Sequence, residues 1–277
     1  MSESSRKNKG DFGCYIITIV MKIISFYSEK GGVGKSVHSV LFASWLQYHE
    51  GKRVCVFDLE PVNYRLGQQR EEEEYFLQKE PESPLSRYYA KTGIQEKDWY
   101  PIIPFGQGRD QSSLEKVVAL KEEFCLFVEE HKEEYDYVVV DFHPIFTFNS
   151  LDFHLLKSGL FDLVVVPVLT DNSSRSCAFN TAMNLKHNRQ NVVLFWNHIS
   201  VSDISRRGYL DAGEGAFAQN GLEFLPYRIK TFAKAGRDSD GKLFVKSTVC
   251  WPERYVEMAC PELPKLYQEI KNRLDRM

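Results

Sequence analysis

A glycine-rich loop near residue 30 constrains the fold of this chain more than any other feature. Residues 30–36 read KGGVGKS and separate an apolar run at 22–27 from an amphipathic stretch at 36–48. Glycines let a backbone curl so that its N–H groups face an anion, and the N-terminus of a following helix adds positive partial charge. A chance glycine-rich turn has a similar composition, but the order of strand, loop and helix predicts a phosphate-binding loop.

Short runs rich in β-branched residues recur along the chain and predict buried parallel strands. They lie at residues 22–27, 53–58, 137–141, 163–168 and 192–196. Helical periodicity separates them, most clearly at residues 36–48 and 114–131. Because strands and helices alternate, we expect an α/β fold with a doubly wound, mostly parallel sheet.

The chain of 277 residues, 43% of them hydrophobic, is long enough for one large core. We expect a single domain over residues 21–277, with an extension without structure at 1–20 and Met21 as an alternative start. Prolines and the acidic run at 71–74 interrupt the strand–helix rhythm, so we expect an insertion over a sheet edge at about 69–113. The acidic run is more typical of a solvated helix face than of a binding site.

The C-terminal stretch 262–276 carries apolar residues at helical spacing. A helix lying on a membrane surface is one interpretation, but the mixed charge of this stretch favours a helix packed on the sheet. No apolar run is long enough to span a bilayer. The six cysteines are scattered without a C-x-x-C pair, which is typical of reduced thiols in the cytoplasm.

The loop departs from the standard G-x-x-x-x-G-K-S pattern because Glu29 stands at its first position. It matches the deviant form K-G-G-x-G-K-[ST], and the chain therefore resembles the ParA/MinD family of P-loop ATPases. Asp58 and Glu60 stand where that family has a D-x-D-P signature after its second strand, and Asp141 ends a strand that resembles Walker B. The resemblance implies a Rossmann-like, three-layer P-loop NTPase fold.

The resemblance also implies a set of site residues for ATP and Mg²⁺. The nucleotide would be bound by Gly31, Gly32, Val33, Gly34, Lys35, Ser36 and Val37, with Asn197 and Pro226 near the adenine. Hydrolysis would depend on Lys30, Lys35, Asp58 and Glu60, where Lys30 would reach the partner's phosphates in an ATP-sandwiched dimer. Magnesium would be held by Ser36 and Asp141. Glu60 is one methylene longer than the usual aspartate, which predicts slow hydrolysis.

Two functional hypotheses follow from this resemblance. The first is a weak, partner-stimulated ATPase that forms a homodimer on ATP and binds DNA nonspecifically during partition or mobile-element transfer. Basic residues at 228–246, with Arg206 and Arg207, supply charge for phosphate contacts, although a solvated loop would have the same composition. The second is a nucleotide-bound interaction module, or a MinD-like membrane-positioning module, with little hydrolysis. The C-terminal composition disfavours membrane binding, and the identity of the stimulating protein partner is left open.

Overall fold

The β-branched runs form the central sheet of the computed structural model, which describes residues 21–59, 65–106, 109, 113–142, 150–200, 207–230 and 246–277. The extension expected at 1–20 and residue Glu60 lie outside these ranges. Seven strands lie in the described ranges, and every pairing between them is parallel. They are β1 (Lys22–Phe26), β2 (Val54–Asp58), β3 (Ile102–Pro104), β4 (Tyr137–Asp141), β5 (Leu163–Val168), β6 (Val192–Ile199) and β7 (Glu223–Lys230).

Helices connect these strands along most of the described chain. They are α1 (Lys35–Tyr48), α2 (Arg65–Lys79), α3 (Pro84–Thr92), α4 (Leu114–Glu130), α5 (Leu151–Leu156), α6 (Asn172–His187), α7 (Arg207–Ala218), α8 (Glu253–Ala259) and α9 (Glu262–Leu274). The strand order is β3-β2-β4-β1-β5-β6-β7. The central strand β1 therefore pairs with both β4 and β5, and the loop that follows β1 lies at the middle of the sheet.

Alternation along the strands divides the core into two layers, because successive side chains of a strand point to opposite faces. In β4, Val139 packs in the cluster that contains α1 and α9, whereas Val138 and Val140 pack in the cluster that contains α4, α5, α6 and α7. The sheet is thus covered by helices on both faces, which confirms the predicted doubly wound α/β architecture.

The segment expected to be an insertion contributes one strand to the sheet. Ile102–Pro104 forms β3, which pairs with the carboxyl-terminal half of β2 at the sheet edge. This strand is not evident in the sequence, since three residues that follow Pro101 and end in Pro104 resemble a loop. Proline lacks an N–H group, but an edge strand tolerates it because only one side of that strand needs ladder hydrogen bonds.

The C-terminal helix α9 packs on the sheet, as its mixed charge predicts. Its apolar residues, among them Leu263, Leu266 and Ile270, are fully buried. The structure thus confirms the packed helix and leaves no apolar face for a bilayer on α9. Within the described ranges, no helix combines the length and apolarity needed to cross a membrane.

Candidate phosphate-binding site

The loop between β1 and α1 has a left-handed backbone at two glycines, Gly32 and Gly34. Gly34 precedes α1 with a φ of 99°, in the left-handed region that side chains disfavour. A Cβ atom at Gly34 would also lie 2.5 Å from the amide nitrogen of Asn197. Both the backbone angle and the close approach of Asn197 therefore exclude a side chain at this position.

Lys35 is the first residue of α1, and its side chain is buried against the loop. Its ammonium donates a hydrogen bond to the carbonyl oxygen of Lys30 at 3.0 Å. The first turn of α1 contains no acidic residue, so the positive end of the helix dipole and the Lys35 ammonium have the same sign at this point. The loop, the helix N-terminus and Lys35 together form a site suited to an anion.

Two carboxylates lie side by side next to the loop. Asp58 ends β2, Asp141 ends β4, and the two residues are partners in the parallel register of these strands. Both are buried, and Asp141 accepts a hydrogen bond of 2.9 Å from the hydroxyl of Ser39. Burial, and to a smaller extent the nearby Asp58, raises the pKa of Asp141 to about 6, although neighbouring serine hydroxyls oppose the rise.

Asp58 holds the start of α2 in addition to its place beside Asp141. Its second carboxylate oxygen accepts a hydrogen bond of 3.0 Å from the backbone N–H of Leu66. Asp58 thus connects the end of β2 with the first turn of α2. Glu60 belongs to the connection between them and lies outside the described residues, so its role in hydrolysis stays a prediction.

Lys30 is partly exposed and interacts with the N-terminus of α6. Its ammonium lies 3.0 Å from a carboxylate oxygen of Asp171 and 3.3 Å from the hydroxyl of Ser173. Asp171 also caps α6 by accepting a hydrogen bond from the N–H of Ser174. The pKa of Asp171 falls to about 2. Hydrogen bonds from Ser174 are the main cause of this fall, and Lys30 also contributes to it.

Asn197 lies directly under the loop. It belongs to an irregular part of β6, where the register with β7 shifts and His198 has a φ of 52°. The Asn197 amide donates a hydrogen bond of 2.8 Å to the carbonyl oxygen of Val33, and the residue is only 1% exposed. In this structure Asn197 stabilises the phosphate loop through this hydrogen bond. Its contact with an adenine stays a prediction.

Pro226, which the resemblance places near the adenine, lies in an edge strand, and its contact with a nucleotide stays a prediction. It is an exposed residue within β7, between Phe224, which pairs with Leu194, and Arg228, which pairs with Trp196. The register shift there leaves extra β7 residues unpaired, and a proline is accommodated at such a bulge on an edge strand. Val37, also predicted near the nucleotide, is partly buried against the core cluster of α1.

A buried polar contact behind the loop joins α1 to α9. The Nδ1 atom of His38 lies 3.0 Å from the hydroxyl of Tyr267, and the His38 ring stacks on Phe26. Burial lowers the pKa of His38 to about 3, Asn197 opposes this shift, and His198 adds to it. His38 is therefore a neutral imidazole within the core.

The structure assigns carboxylate partners to Arg228, one of the basic residues considered for DNA binding. The guanidinium of Arg228 pairs with Asp211 and, at 3.0 Å, with Glu214. Burial lowers the pKa of Lys246, and Asp141 is the first of the carboxylates that oppose this shift. Lys230, by contrast, is exposed at the end of β7. Arg206, Lys234, Arg237 and Lys242 lie outside the described residues, as does the side chain of Arg207.

Sequence reasoning missed two residues that the structure places at the site. Ser39 lies one helical turn after Lys35, and this i, i+4 spacing indicates that the two side chains lie on the same side of the helix. Asp171 carries a recognisable N-cap pattern, with Ser174 three residues later, but that pattern does not indicate a contact with Lys30.

A family model described as an AAA domain matches residues 21–192, which is more than half of the chain. No curated protein sequence shows a significant match. The described fold is similar to several solved structures of low sequence identity.

One of these structures is the MinC:MinD cell division protein complex of Aquifex aeolicus, with 17% identity and a TM-score of 0.57, covering 91% of this chain and 96% of that chain. A second is a putative plasmid partition protein from Borrelia burgdorferi B31 bound to AMPPNP, with 16% identity and a TM-score of 0.55, covering 91% and 99%. A third is pNOB8 ParA bound to nonspecific DNA, with 15% identity and a TM-score of 0.50, covering 93% and 98%. The likeness confirms the predicted fold.

Proposed function

Because the chain belongs to the AAA domain family and has the fold of ParA/MinD-type P-loop ATPases, we propose that it binds and hydrolyses ATP as a nucleotide-controlled switch. One observation carries this proposal: the glycine loop and Lys35 lie at a helix N-terminus beside the paired carboxylates Asp58 and Asp141. The loop offers N–H donors and a cation to phosphate groups, and the carboxylates supply oxygen ligands for a hard metal ion.

The donor set fits Mg²⁺-ATP. The Ser39 hydroxyl donates a hydrogen bond to Asp141, and Ser36 is the second residue of α1, so oxygen donors are grouped at the start of this helix. Ser36 and Asp141 would hold Mg²⁺ there, which offsets the charge of the phosphates when it is bound. The N–H groups of residues 31–37 and the ammonium of Lys35 would hold the β- and γ-phosphates.

Hydrolysis requires a water molecule to attack the terminal phosphorus while the bond to the ADP oxygen breaks. Charge on the transferring group must be offset at that moment, which is the main catalytic requirement in phosphoryl transfer. Lys35 would supply one positive charge from within the chain. Glu60 would orient the water, and Asp58 would position this segment through its hydrogen bond to Leu66.

Lys30 would supply a second positive charge across a homodimer. Its side chain lies at the surface of the loop, where Asp171 and Ser173 hold it in the isolated chain. An exposed ion pair of this kind contributes only about 0.2–1 kcal/mol, so it would not prevent Lys30 from reaching the phosphates of a partner. We therefore propose that ATP joins two copies of the chain and that Lys30 then changes partners.

Nonspecific DNA is the proposed partner of the ATP-bound dimer, together with a protein that stimulates hydrolysis. Support comes from the exposed Lys230 at the end of β7 and from residues 231–245, which hold Lys234, Arg237 and Lys242 against Asp238 and Asp240. One of the similar structures is a ParA bound to nonspecific DNA. The paired Arg228 and the part-buried Lys246 would contribute little to this surface.

The test combines nucleotide binding, turnover and DNA binding on the same preparations. Wild-type protein should bind a fluorescent ATP analogue with Mg²⁺, release phosphate slowly, and bind a random DNA duplex only with ATP. Lys35→Ala should abolish nucleotide binding, whereas Lys30→Ala should keep binding and lose turnover. Lys157→Ala, a change outside this site, serves as the control.

Two results would redirect the proposal. ATP binding without turnover, even with DNA present, would favour the non-hydrolysing interaction module. Turnover without DNA binding in any nucleotide state would remove DNA as the partner and leave a membrane or a protein surface to be tested with vesicles and pull-down experiments.

A further inference from the structure

A cleft of about 430 Å³ lies between α5 and α6, two helices that cover the same face of the sheet. Each helix lines it with residues three and four positions apart, which lie on one face of a helix. The lining includes Phe153, Leu156 and Lys157 of α5 and Thr181, Asn184 and Leu185 of α6. Two helix surfaces therefore face each other across an open space, called the α5–α6 cleft below.

The α5–α6 cleft has a buried floor and an exposed mouth. Leu156, Thr181 and Leu185 are each at most 5% exposed, whereas Lys157 and Asn184 are open to solvent. Packed protein interiors leave few voids larger than a water molecule. Pockets for small molecules have volumes of about 300–1,000 Å³, and a cavity of about 150 Å³ already holds benzene. The cleft thus has room for a molecule of one or two rings.

Thr181 brings an unused hydrogen-bonding group to this floor. In a helix the hydroxyl of threonine can bond to the carbonyl oxygen one turn earlier. Within the described part of the chain, the Thr181 hydroxyl bonds neither to that carbonyl oxygen nor to any other group, although the residue is only 1% exposed. A buried hydroxyl without a partner costs free energy, and a ligand that exchanges a hydrogen bond with it would recover that cost.

The other lining groups define the chemical class of the ligand. Tyr27 and Phe153 bring aromatic rings, which attract a further ring more strongly than its buried area alone would predict. The cleft also has one charge of each sign, because Glu29 and Lys157 both line it. The Lys157 ammonium lies 3.9 Å from the centre of the Phe153 ring. An anion or a cation would be repelled by one of these two charges, so the lining favours a neutral molecule.

We propose that the α5–α6 cleft is a binding site for a small neutral aromatic molecule that carries a hydroxyl or amide group. The ring packs against Leu156 and Leu185, and the polar group exchanges a hydrogen bond with the hydroxyl of Thr181. The described lining of the cleft includes neither Lys35 nor Asp141, so this site is separate from the candidate phosphate-binding site. The inference does not depend on ATP binding.

The test compares p-cresol with p-xylene, which has a methyl group in place of the hydroxyl, by isothermal titration calorimetry on the full chain. Wild type should bind one p-cresol molecule per chain. Thr181→Val replaces the side-chain hydroxyl with a methyl group and should weaken p-cresol binding about fivefold, while p-xylene binding changes by less than about twofold. Thr181→Ser keeps the hydroxyl and should bind p-cresol within about twofold of wild type.

A second arm locates the bound molecule. Asn184→Trp places a large side chain at the mouth of the cleft and should weaken binding of both probes at least about tenfold. His187→Trp, at an exposed position of α6 outside the lining, is the matched control and should bind as the wild type. Excess Mg²⁺-ATP should leave p-cresol binding unchanged.

Three results would overturn the proposal: no saturable binding of p-cresol to the wild type, equal p-cresol affinity of Thr181→Val and wild type, or displacement of p-cresol by Mg²⁺-ATP. Circular dichroism of each variant establishes that it is folded. If Asn184→Trp fails to fold, Thr181→Val and Thr181→Ser decide, because they change the packed volume little. A chain that binds p-cresol but no ATP would refute the proposed function and leave this site intact.

Discussion

The ammonium of Lys30 lies 3.0 Å from a carboxylate oxygen of Asp171 within the same chain. The two residues belong to the phosphate loop and to the N-terminus of α6, and about half of the Asp171 side chain is exposed. In the proposed dimer Lys30 would leave this carboxylate for the phosphates of the partner. Breaking this ion pair therefore costs a small amount of free energy when the dimer forms.

Asp171→Asn should lower that cost. The amide oxygen still caps α6, but the charge that holds Lys30 is removed. An exposed pair contributes up to about 1 kcal/mol and the homodimer breaks two of them, so the ATP-dependent dimer should form at up to about 30-fold lower protein concentration. Sedimentation velocity with a non-hydrolysable ATP analogue measures this, and Glu129→Gln, in an exposed pair on α4, is the control. An unchanged or weakened dimer would show that Lys30 stays with Asp171.

Gly34→Ala should destabilise the loop and abolish nucleotide binding. The left-handed backbone and the 2.5 Å approach of Asn197 together predict a loss of at least about 2 kcal/mol in the free energy of unfolding. Urea denaturation and titration with a fluorescent ATP analogue measure the two effects. In the Asn197→Ala background the steric part should shrink while the backbone strain persists. Equal losses in both backgrounds would mean that Asn197 moves aside freely.

Ser39→Ala should weaken Mg²⁺-dependent ATP binding although Ser39 was not predicted as a site residue. The change removes a 2.9 Å hydrogen bond to Asp141, which leaves a buried carboxylate with fewer donors. We expect about a fivefold loss in ATP affinity with Mg²⁺, corresponding to about 1 kcal/mol. Ser39→Thr keeps a hydroxyl and should bind nearly as the wild type. Equal ATP affinity of Ser39→Ala and wild type would show that Ser39 makes no contribution to the metal site.

His38 should make the protein less stable as the pH falls. Burial lowers its folded-state pKa to about 3, from an ordinary value of 6.5. Below pH 6.5 the unfolded chain therefore binds a proton at His38 that the folded chain does not bind. The stability contributed by the neutral imidazole is complete above pH 6.5 and is lost as the pH falls from 6.5 toward 3. Between pH 7 and 5 this amounts to about 2 kcal/mol.

Urea denaturation at pH 7 and pH 5 tests this dependence. His38→Gln should lose about 2 kcal/mol less than wild type over that interval. Tyr267→Phe removes the hydrogen bond to His38 but keeps the buried imidazole, so it should retain the pH dependence. The same pH dependence in wild type and His38→Gln would show that His38 is protonated in the folded state.

Several elements of this fold are evident in the linear chain. Strands β1, β2, β4, β5 and the start of β6 follow from β-branched runs, because strands buried on both faces need continuous apolar sequence. The glycine loop follows from the spacing of Gly31, Gly32 and Gly34 before Lys35. Edge strands are a different case: β3 and β7 contain prolines and have one unpaired side, so their composition resembles loops.

By itself the sequence determined the fold class and the order of the phosphate loop and the two acidic strand ends. These depend on local backbone geometry and on the alternation of apolar and polar residues. Only the tertiary structure decided which residues meet: Lys30 with Asp171, Ser39 with Asp141, and Asn197 with Val33. The physical reason is that charges and hydrogen bonds act across a few ångströms of space, whatever the separation of the residues along the chain.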